Sequence, residues 1–194
     1  MSGTGQATDW ESRYQQGTTG WQRQDANPAL LAWLAGGTLE PGRILVPGAG
    51  RSVEPRLLAD AGFAVTTVDL APSAVAWQRE SLAGTSAHVA EANLLEWQPD
   101  RWFDAVYEQT CICALPPAIW DDYAARLADW LRPGGVLAAL FLQTGREGGP
   151  PFHCDIERMR ALFPSRDWIW PAALDPAVGQ FSGMSEQPVI LRRT

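Results

Sequence analysis

The sequence is short of basic residues, and it has no long apolar run. It carries 15 Lys and Arg against 22 Asp and Glu among 194 residues, a formal net charge of −7. A surface with this balance repels a phosphate backbone, so nucleic acid is not an expected partner. No apolar run approaches the roughly 18 residues that a membrane span needs, and the N-terminus lacks the basic and apolar regions of a signal peptide. We therefore expect a soluble, cytoplasmic protein that does not bind membranes.

Cysteine is scarce as well. Cys111, Cys113 and Cys154 are an odd number in a chain too long to depend on disulfide bridges, so we expect free thiols in a reducing compartment. The Cys-x-Cys pair and the adjacent His153 and Cys154 are weak metal-ligand candidates, because no second paired motif accompanies them, and no metal is expected. His88 lies in a strand pattern and is expected to be structural.

The composition is 46% hydrophobic and 19% charged, with a mean hydropathy of −0.15, which is typical of a packed globular protein. The length fits one domain, predicted over residues 1–194. Short β-branched or apolar runs alternate with segments of helical spacing, the pattern of βαβ units around a parallel sheet. The predicted strands are 44–46, 65–68, 87–90, 103–107 and 136–142, followed by two closing strands at 167–170 and 188–192.

Two helices have recognisable ends or faces. Asn27 precedes a proline at the first helical position, which predicts a capped helix with Leu30, Leu31 and Leu34 on its buried face. An apolar stripe predicts a second helix over 117–131, which the Arg-Pro-Gly-Gly run after it terminates.

The first predicted strand runs into Gly48, one alanine and Gly50, and a helix follows. A strand, a Gly-x-Gly turn and a helix form a loop that suits nucleotides, since glycine lets the backbone pass close to a ligand and the helix offers free N–H groups. Asp69 ends the second strand 19 residues after Gly50, where its carboxylate can accept hydrogen bonds from both hydroxyls of an adenosine ribose. The alternative is an ordinary tight turn beside a solvated aspartate.

The type of nucleotide follows from a missing glycine. A pyrophosphate cofactor favours a third glycine, and Val53 occupies that position. S-adenosylmethionine fits better, because it lacks phosphates and requires a carboxylate for its ribose and aromatic faces for its sulfonium cation. Trp10, Tyr14 and Trp21 precede the first strand, so residues 1–26 are predicted to form an N-terminal lid over the cofactor. The alternative is a helix that packs Trp10 and Tyr14 on the domain.

Seven segments follow one another along nearly the whole chain: Trp10-x3-Tyr14-x2-Gly17-x2-Gly20-Trp21, VPGAGRS (46–52), VDLAPSAV (68–75), ANLLEW (92–97), FDAVYEQTCICALPP (103–117), LRPGGVL (131–137) and GGPPF (148–152). Together they resemble the thiopurine S-methyltransferase-like family, which includes thiol, thiocyanate and halide methyltransferases. The resemblance implies an α/β, Rossmann-like class I methyltransferase fold, with a seven-stranded, mostly parallel sheet between helical layers. It also implies S-adenosylmethionine as the methyl donor.

The resemblance assigns cofactor contacts residue by residue: Trp10, Tyr14 and Trp21 as covering aromatics, Gly48 at the amino-acid tail, Asp69 at the ribose, Asn93 and Leu94 beside adenine, and Gln109 after the fourth strand. The thiopurine branch typically has arginine at position 109, so Gln109 disfavours a thiopurine or other anionic acceptor. Glu108 is the candidate catalytic residue, because chemistry in open α/β sheets occurs at strand ends. It would orient the acceptor or accept its proton; the alternative is a solvated or capped carboxylate.

The predicted function is therefore transfer of a methyl group from S-adenosylmethionine to a small soft nucleophile, a thiol or related sulfur compound. The acceptor is expected to bind among residues 21–25, 108–113 and 148–152. Two other classes stay open: a nicotinamide-dependent oxidoreductase, which should carry the third glycine and a substrate domain, and a non-catalytic cofactor-binding protein. A monomer is favoured.

Overall fold

A computed structural model describes residues 9–179 and 183–194. The helices are α1 (Trp10–Gln15), α2 (Pro28–Ala35), α3 (Glu54–Asp60), α4 (Pro72–Ser81), α5 (Trp120–Trp130) and α6 (Ile156–Leu162). The strands are β1 (Arg43–Pro47), β2 (Ala64–Asp69), β3 (His88–Glu91), β4 (Phe103–Gln109), β5 (Leu131–Gln143), β6 (Trp168–Ile169), β7 (Val178–Gly179) and β8 (Ser185–Arg193). Short 3-10 helices cover Ile112–Ala114 and Pro117–Ile119.

The strands form one mixed sheet in the order β3-β2-β1-β4-β5-β8-β6, and β7 pairs with β8 beside this path. Strands β1 to β5 are parallel to one another, and β8 is antiparallel to β5, β6 and β7. The predicted α/β fold with a mostly parallel sheet is confirmed, and each of the seven predicted strands has a counterpart. The sequence did not predict β7, which has only two residues. The carboxyl ends of β1 to β5 and the start of β8 meet at one edge, called here the carboxyl edge.

Alternate residues of the central strands serve two cores. Ile44 and Val46 of β1 pack in a cluster with residues of α2 and α3, whereas Leu45 between them belongs to a cluster with residues of α5 and α6. A strand covered on both faces has no polar side to expose, and for this reason it reads as a continuous apolar run in the sequence. The helical layers on the two faces bury the sheet and leave its carboxyl edge as the surface on which loops converge.

Helix α2 confirms its predicted cap and corrects its predicted face. The Asn27 Oδ1 accepts a hydrogen bond from the Ala29 N–H at 2.9 Å, as the capping pattern indicated. Leu30 is fully buried and Trp33 is nearly so, but Leu31 is 46% exposed. The expectation that Leu31 lies on the buried face was wrong, because one residue turns the helix by about 100° and Trp33 is the residue that shares a face with Leu30.

Helix α5 begins three residues later than predicted. A 3-10 helix covers Pro117–Ile119, and the α-helix runs over Trp120–Trp130. Proline lacks an N–H and restricts the residue before it, so the two prolines preceding this helix favour a short 3-10 entry.

The neighbouring leucines of α2 give a matched test of this packing. We expect Leu30→Ala to lower the free energy of unfolding by about 2–5 kcal/mol, because it leaves a cavity in the core between α2 and the sheet. Leu31→Ala should change it by no more than about 0.5 kcal/mol, since its side chain is largely solvated. Urea denaturation of both variants measures the difference, and equal losses would show that the face of α2 is wrongly placed.

Candidate cofactor site

The loop after β1 depends on two glycines with left-handed backbone. Gly48 has φ +58° and Gly50 has φ +53°, a region in which side chains are strained. A Cβ at Gly48 would lie 2.6 Å from the Cys111 Sγ, and one at Gly50 would lie 2.7 Å from the Tyr14 hydroxyl. The space that a side chain would need is therefore filled by other parts of the chain. The glycines let the turn after β4 and helix α1 approach the loop, which sequence reasoning had attributed to a ligand alone.

Gln78 of α4 holds this loop from beneath. Its side chain is 1% exposed, and its Nε2 donates to the carbonyls of Gly50 at 3.0 Å and Ser52 at 3.1 Å. Sequence reasoning missed Gln78. The available signal was its spacing, since it follows the buried Ala74 and Val75 by four and three residues and so lies on the apolar face of α4. A glutamine on such a face needs buried hydrogen-bond partners.

Asp69 fixes the opposite side of the loop. Its Oδ2 accepts from the Gly50 N–H at 2.8 Å, and its Oδ1 accepts from the Ala71 N–H at 2.9 Å. Desolvation raises the pKa of this carboxyl above its usual value, while the N–H groups oppose the rise. An ionised carboxylate accepts about four hydrogen bonds, so lone pairs are left for a ligand. The structure brings Asp69 and the glycine loop together as predicted; the ribose contact stays a prediction.

An apolar surface lies beside this carboxylate. Leu70, directly after Asp69, is 59% exposed. The sequence analysis did not predict a role for Leu70. Its place directly after Asp69 is nevertheless one from which a side chain can cover the base of a bound nucleoside. Exposed apolar surface next to a carboxylate fits an adenosine, whose ribose is polar and whose base is flat and apolar.

Asn93 and Leu94 follow β3 at the same edge. The Ala92 N–H donates to the Asp69 carbonyl at 3.0 Å, which holds this segment against the end of β2. The Asn93 Oδ1 accepts from the Leu95 N–H at 3.1 Å, so this side chain stabilises a turn, and Leu94 packs partly against the core. Their predicted position beside adenine agrees with this placement and stays a prediction.

Helix α1 docks on the amino end of α4. The Glu11 carboxylate accepts from the Ser73 N–H at 2.8 Å and from the Ser73 hydroxyl at 2.6 Å. These bonds lower the pKa of Glu11. Tyr14 is 7% exposed and packs on Ala71 and Ala74, and burial raises its pKa to about 12. Tyr14 therefore lies inside the domain, beside Gly50 and Asp69.

The three predicted aromatics form one cluster. Trp21 meets Trp10 edge to face at 5.5 Å between ring centroids and Tyr14 at 5.9 Å. The Arg13 guanidinium lies over the Trp10 ring at 5.5 Å, which shows that these rings attract a cation. Trp21 is 41% exposed. The alternative of a helix packed on the domain is thus seen for Tyr14, and Trp10 packs partly against the same cluster. The Arg13 guanidinium also lies over the Trp21 ring, at 5.9 Å. Residues 1–8 of the predicted lid lie outside the described residues.

The end of β4 contains Gln109 and Glu108. Gln109 is half-buried and is followed by Thr110, whose φ is +51°. Glu108 is 1% exposed, and its Oε1 accepts from the Ile112 N–H at 2.6 Å. Burial raises the pKa of Glu108 to about 7, against the effect of the N–H groups of Cys111 and Ile112. The carboxylate is capped by the turn that it holds, which was one of the predicted alternatives; a direct catalytic role stays a prediction.

The three cysteines are free and buried, as expected, and burial raises the pKa of each thiol. The His153 Nδ1 accepts from the Thr144 N–H at 3.0 Å, and His88 is exposed on β3. Across residues 9–179 and 183–194, no three His, Cys, Asp or Glu side chains are grouped as metal ligands. None of the helices in this part of the chain is long and apolar enough to span a membrane.

In this strand order the antiparallel β8 lies between β5 and β6, and the glycine loop lies beside the acidic end of β2. These features together define a class I methyltransferase fold. The structure is similar to that of Burkholderia thailandensis 1,6-didemethyltoxoflavin-N1-methyltransferase with bound 1,6-didemethyltoxoflavin and S-adenosylhomocysteine. The TM-score is 0.74 at 20% identity, over 96% of this chain and 85% of that one. A likeness at this identity shows the fold.

The family follows from the sequence. The model of the thiopurine S-methyltransferase family matches residues 5–170. A probable thiol methyltransferase 2 of Arabidopsis thaliana is 28% identical over 161 residues, 80% of this chain and 71% of that protein. The thiopurine S-methyltransferase of Pseudomonas fluorescens (strain SBW25) is 30% identical over 174 residues, 79% of this chain and 80% of that protein. The chain belongs to the thiopurine S-methyltransferase family and is an S-adenosylmethionine-dependent methyltransferase. The oxidoreductase and the non-catalytic binding protein are not favoured.

The assignment of Asp69 is tested by Asp69→Ala. Loss of a charged acceptor should weaken S-adenosylhomocysteine binding by about 1.5–3 kcal/mol, roughly 10- to 150-fold. Isothermal titration calorimetry measures the dissociation constant. Urea denaturation is needed alongside, because the variant also leaves the Gly50 N–H without its acceptor. Glu80→Ala, an exposed change at the far end of α4, is the control. An unchanged dissociation constant in folded Asp69→Ala would remove the ribose assignment.

The docking of α1 is tested by hydrogen exchange. We expect amides of residues 9–22 to exchange more slowly with S-adenosylhomocysteine bound, because the segment closes over the site. Glu11→Ala should speed their exchange without cofactor, since it removes both bonds to Ser73. Amides of α6 are the internal reference, and Glu157→Ala in the first turn of α6 is the matched control. Equal protection in the free and bound protein would contradict a lid.

Proposed function

We propose that this methyltransferase acts on the sulfur of a small thiol, or on a related soft nucleophile such as hydrosulfide, thiocyanate or a heavy halide. Two relatives named for thiol and thiopurine substrates support a sulfur acceptor. The observation that carries the proposal is the state of Glu108 at the carboxyl edge. Its carboxylate is 1% exposed and bound by the Ile112 N–H, so it is poorly placed to take a proton from an acceptor.

An acceptor that ionises by itself removes the need for a protein base. A free thiol has a pKa near 8.5, and its thiolate is strongly nucleophilic. S-adenosylmethionine, when bound, supplies a methyl group on a positively charged sulfur, and this sulfur is the leaving group that the thiolate displaces. The chain then has to bind and orient the donor and the acceptor and to exclude water. Orientation of bound reactants contributes up to about 7–11 kcal/mol. In this proposal Asp69 and the aromatic cluster hold the donor, and Glu108 shapes the turn beside the acceptor.

The three predicted acceptor segments lie around the carboxyl edge. The Phe152 N–H donates to the Cys113 carbonyl at 2.7 Å, which joins the segment 148–152 to the turn after β4.

The charge and the cysteines support the remaining parts of the proposal. A net charge of −7 favours a small-molecule acceptor over nucleic acid. Three free thiols favour a reducing compartment, so we place the protein in the cytoplasm. We propose that it acts as a monomer.

A panel of acceptors tests the proposal, with release of S-adenosylhomocysteine as the measurement. The panel contains a simple thiol, hydrosulfide, thiocyanate, iodide, a thiopurine and a catechol at equal concentration. We expect the simple thiol to exceed the thiopurine, because Gln109 replaces the arginine typical of the thiopurine branch, and we expect the sulfur and halide acceptors to exceed the catechol. Turnover of the catechol, with every sulfur and halide acceptor at background, would refute the soft acceptor and leave the cofactor assignment intact.

A further inference from the structure

A buried polar network lies where the N-terminal segment joins α2, and Asn27 is its centre. Asn27 is fully buried. Its N–H donates to the Glu54 Oε1 at 2.7 Å, and its Nδ2 donates to the Glu186 Oε2 at 2.5 Å. Capping of α2 uses only the Oδ1, which serine, threonine or aspartate would supply equally well. The cap therefore leaves the bond from the amide to Glu186 unexplained.

Glu54 connects Asn27 to the cofactor side. It is the first residue of α3, just after the glycine loop, and it is 1% exposed. Its Oε1 also accepts from the Tyr107 hydroxyl at 3.0 Å, and its Oε2 accepts from the Ser52 hydroxyl at 3.1 Å. One carboxylate therefore joins the glycine loop, β4 and the backbone of Asn27.

Glu186 connects Asn27 to the acceptor side. It lies near the start of β8, opposite Leu142 at the end of β5, and it is 1% exposed. The Arg23 guanidinium approaches its Oε2 at 3.7 Å. Residues 23 and 27 of the N-terminal segment thus both contact one buried carboxylate at the carboxyl edge.

We propose that Asn27 is a positioning residue for the N-terminal segment that carries the aromatic cluster. It holds this segment against the glycine loop through Glu54 and against the carboxyl edge through Glu186. Trp21 lies six residues before Asn27 in the chain. Asn27 is thus the fixed end from which this segment reaches over the cofactor. The proposal rests on the methyl-transfer function, since it relates the donor side to the acceptor side.

Asn27→Asp separates this role from that of a helix cap. The variant keeps the Oδ1 cap and places a carboxylate oxygen against Glu186. The other ionisable groups around this pair are Glu54, Tyr107 and Arg23, and the charge of Glu186 also acts on Glu108. Two adjacent buried carboxylates do not both ionise readily. The pair keeps a bridging proton at low pH and loses it as the pH rises. In Asn27→Asp, the contact between residue 27 and Glu186 is therefore present at low pH and lost with increasing pH.

Asn27→Ser is the matched second variant. Its hydroxyl caps α2 but is too short to bond Glu186, and it adds no charge. We expect it to weaken S-adenosylhomocysteine binding by the same factor at all pH values. For Asn27→Asp, we expect the dissociation constant relative to the wild type to rise about tenfold from pH 5.5 to pH 8.5, as for groups coupled by one pK unit. Exchange of amides 9–22 should accelerate in parallel.

These two readouts need no methyl acceptor, so they are independent of the acceptor panel. If no acceptor turns over while both variants behave as expected, the proposed function fails and the role of Asn27 stands. Variants that lower only the free energy of unfolding, with wild-type affinity for S-adenosylhomocysteine and wild-type exchange of amides 9–22 at both pH values, would overturn the proposal. Asn27 would then be a helix cap and nothing more.

Discussion

The glycine loop after β1 has to leave the sheet without leaving its backbone groups unsatisfied. An unpaired buried donor or acceptor costs about 1–3 kcal/mol. The Gly48 N–H donates to the Val68 carbonyl of β2, and side chains bind the backbone further along the loop: Gln78 of α4 and Asp69 of β2. Glu54 of α3 adds a bond from the Ser52 hydroxyl. Their positions are therefore coupled to that of the loop. The shape of the loop is therefore set by contacts within the chain itself.

The N-terminal segment is attached to the rest of the domain at two places of different burial. Glu11 bonds Ser73 of α4 at a half-buried position, where water still competes with the contact. Asn27 bonds Glu54 and Glu186 in a buried position, where loss of one partner leaves the other unsatisfied. The end of the segment that carries α1 is therefore the easier one to release, and the end at Asn27 remains in place when a ligand enters or leaves.

The parts of this structure that the sequence predicts are those with a local cause. Buried parallel strands read as apolar runs, and β1, β2, β4 and β5 were found in this way. Positive φ after a strand requires glycine, and an acidic residue at the end of β2 falls beside that loop because β1 and β2 are neighbours. The position of Asp69 beside the glycine loop was therefore predictable, and its contact with a ribose stays a prediction.

The missed features depend on contacts between distant residues. Glu54, Tyr107 and Glu186 have no common sequence pattern, and their proximity follows only from the packing of α3, β4 and β8. The face of α2 was misjudged because the helix is apolar on several sides, so periodicity does not choose between Leu30 and Leu31. The closeness of Cys111 to Gly48 likewise follows from the turn after β4, whose shape is held by the Glu108 side chain.

That closeness bears on how the protein handles its own sulfur. The Cys111 Sγ lies where a side chain of Gly48 would be, directly against the loop assigned to the cofactor. Thiols attack carbon as thiolates, and burial, together with the neighbouring Glu108, raises the pKa of Cys111 well above its usual value. Cys111 is therefore protonated at neutral pH and unreactive toward an electrophilic methyl group. A neutral thiol is a poor nucleophile, so the position of Cys111 against the loop does not by itself make it a competing methyl acceptor.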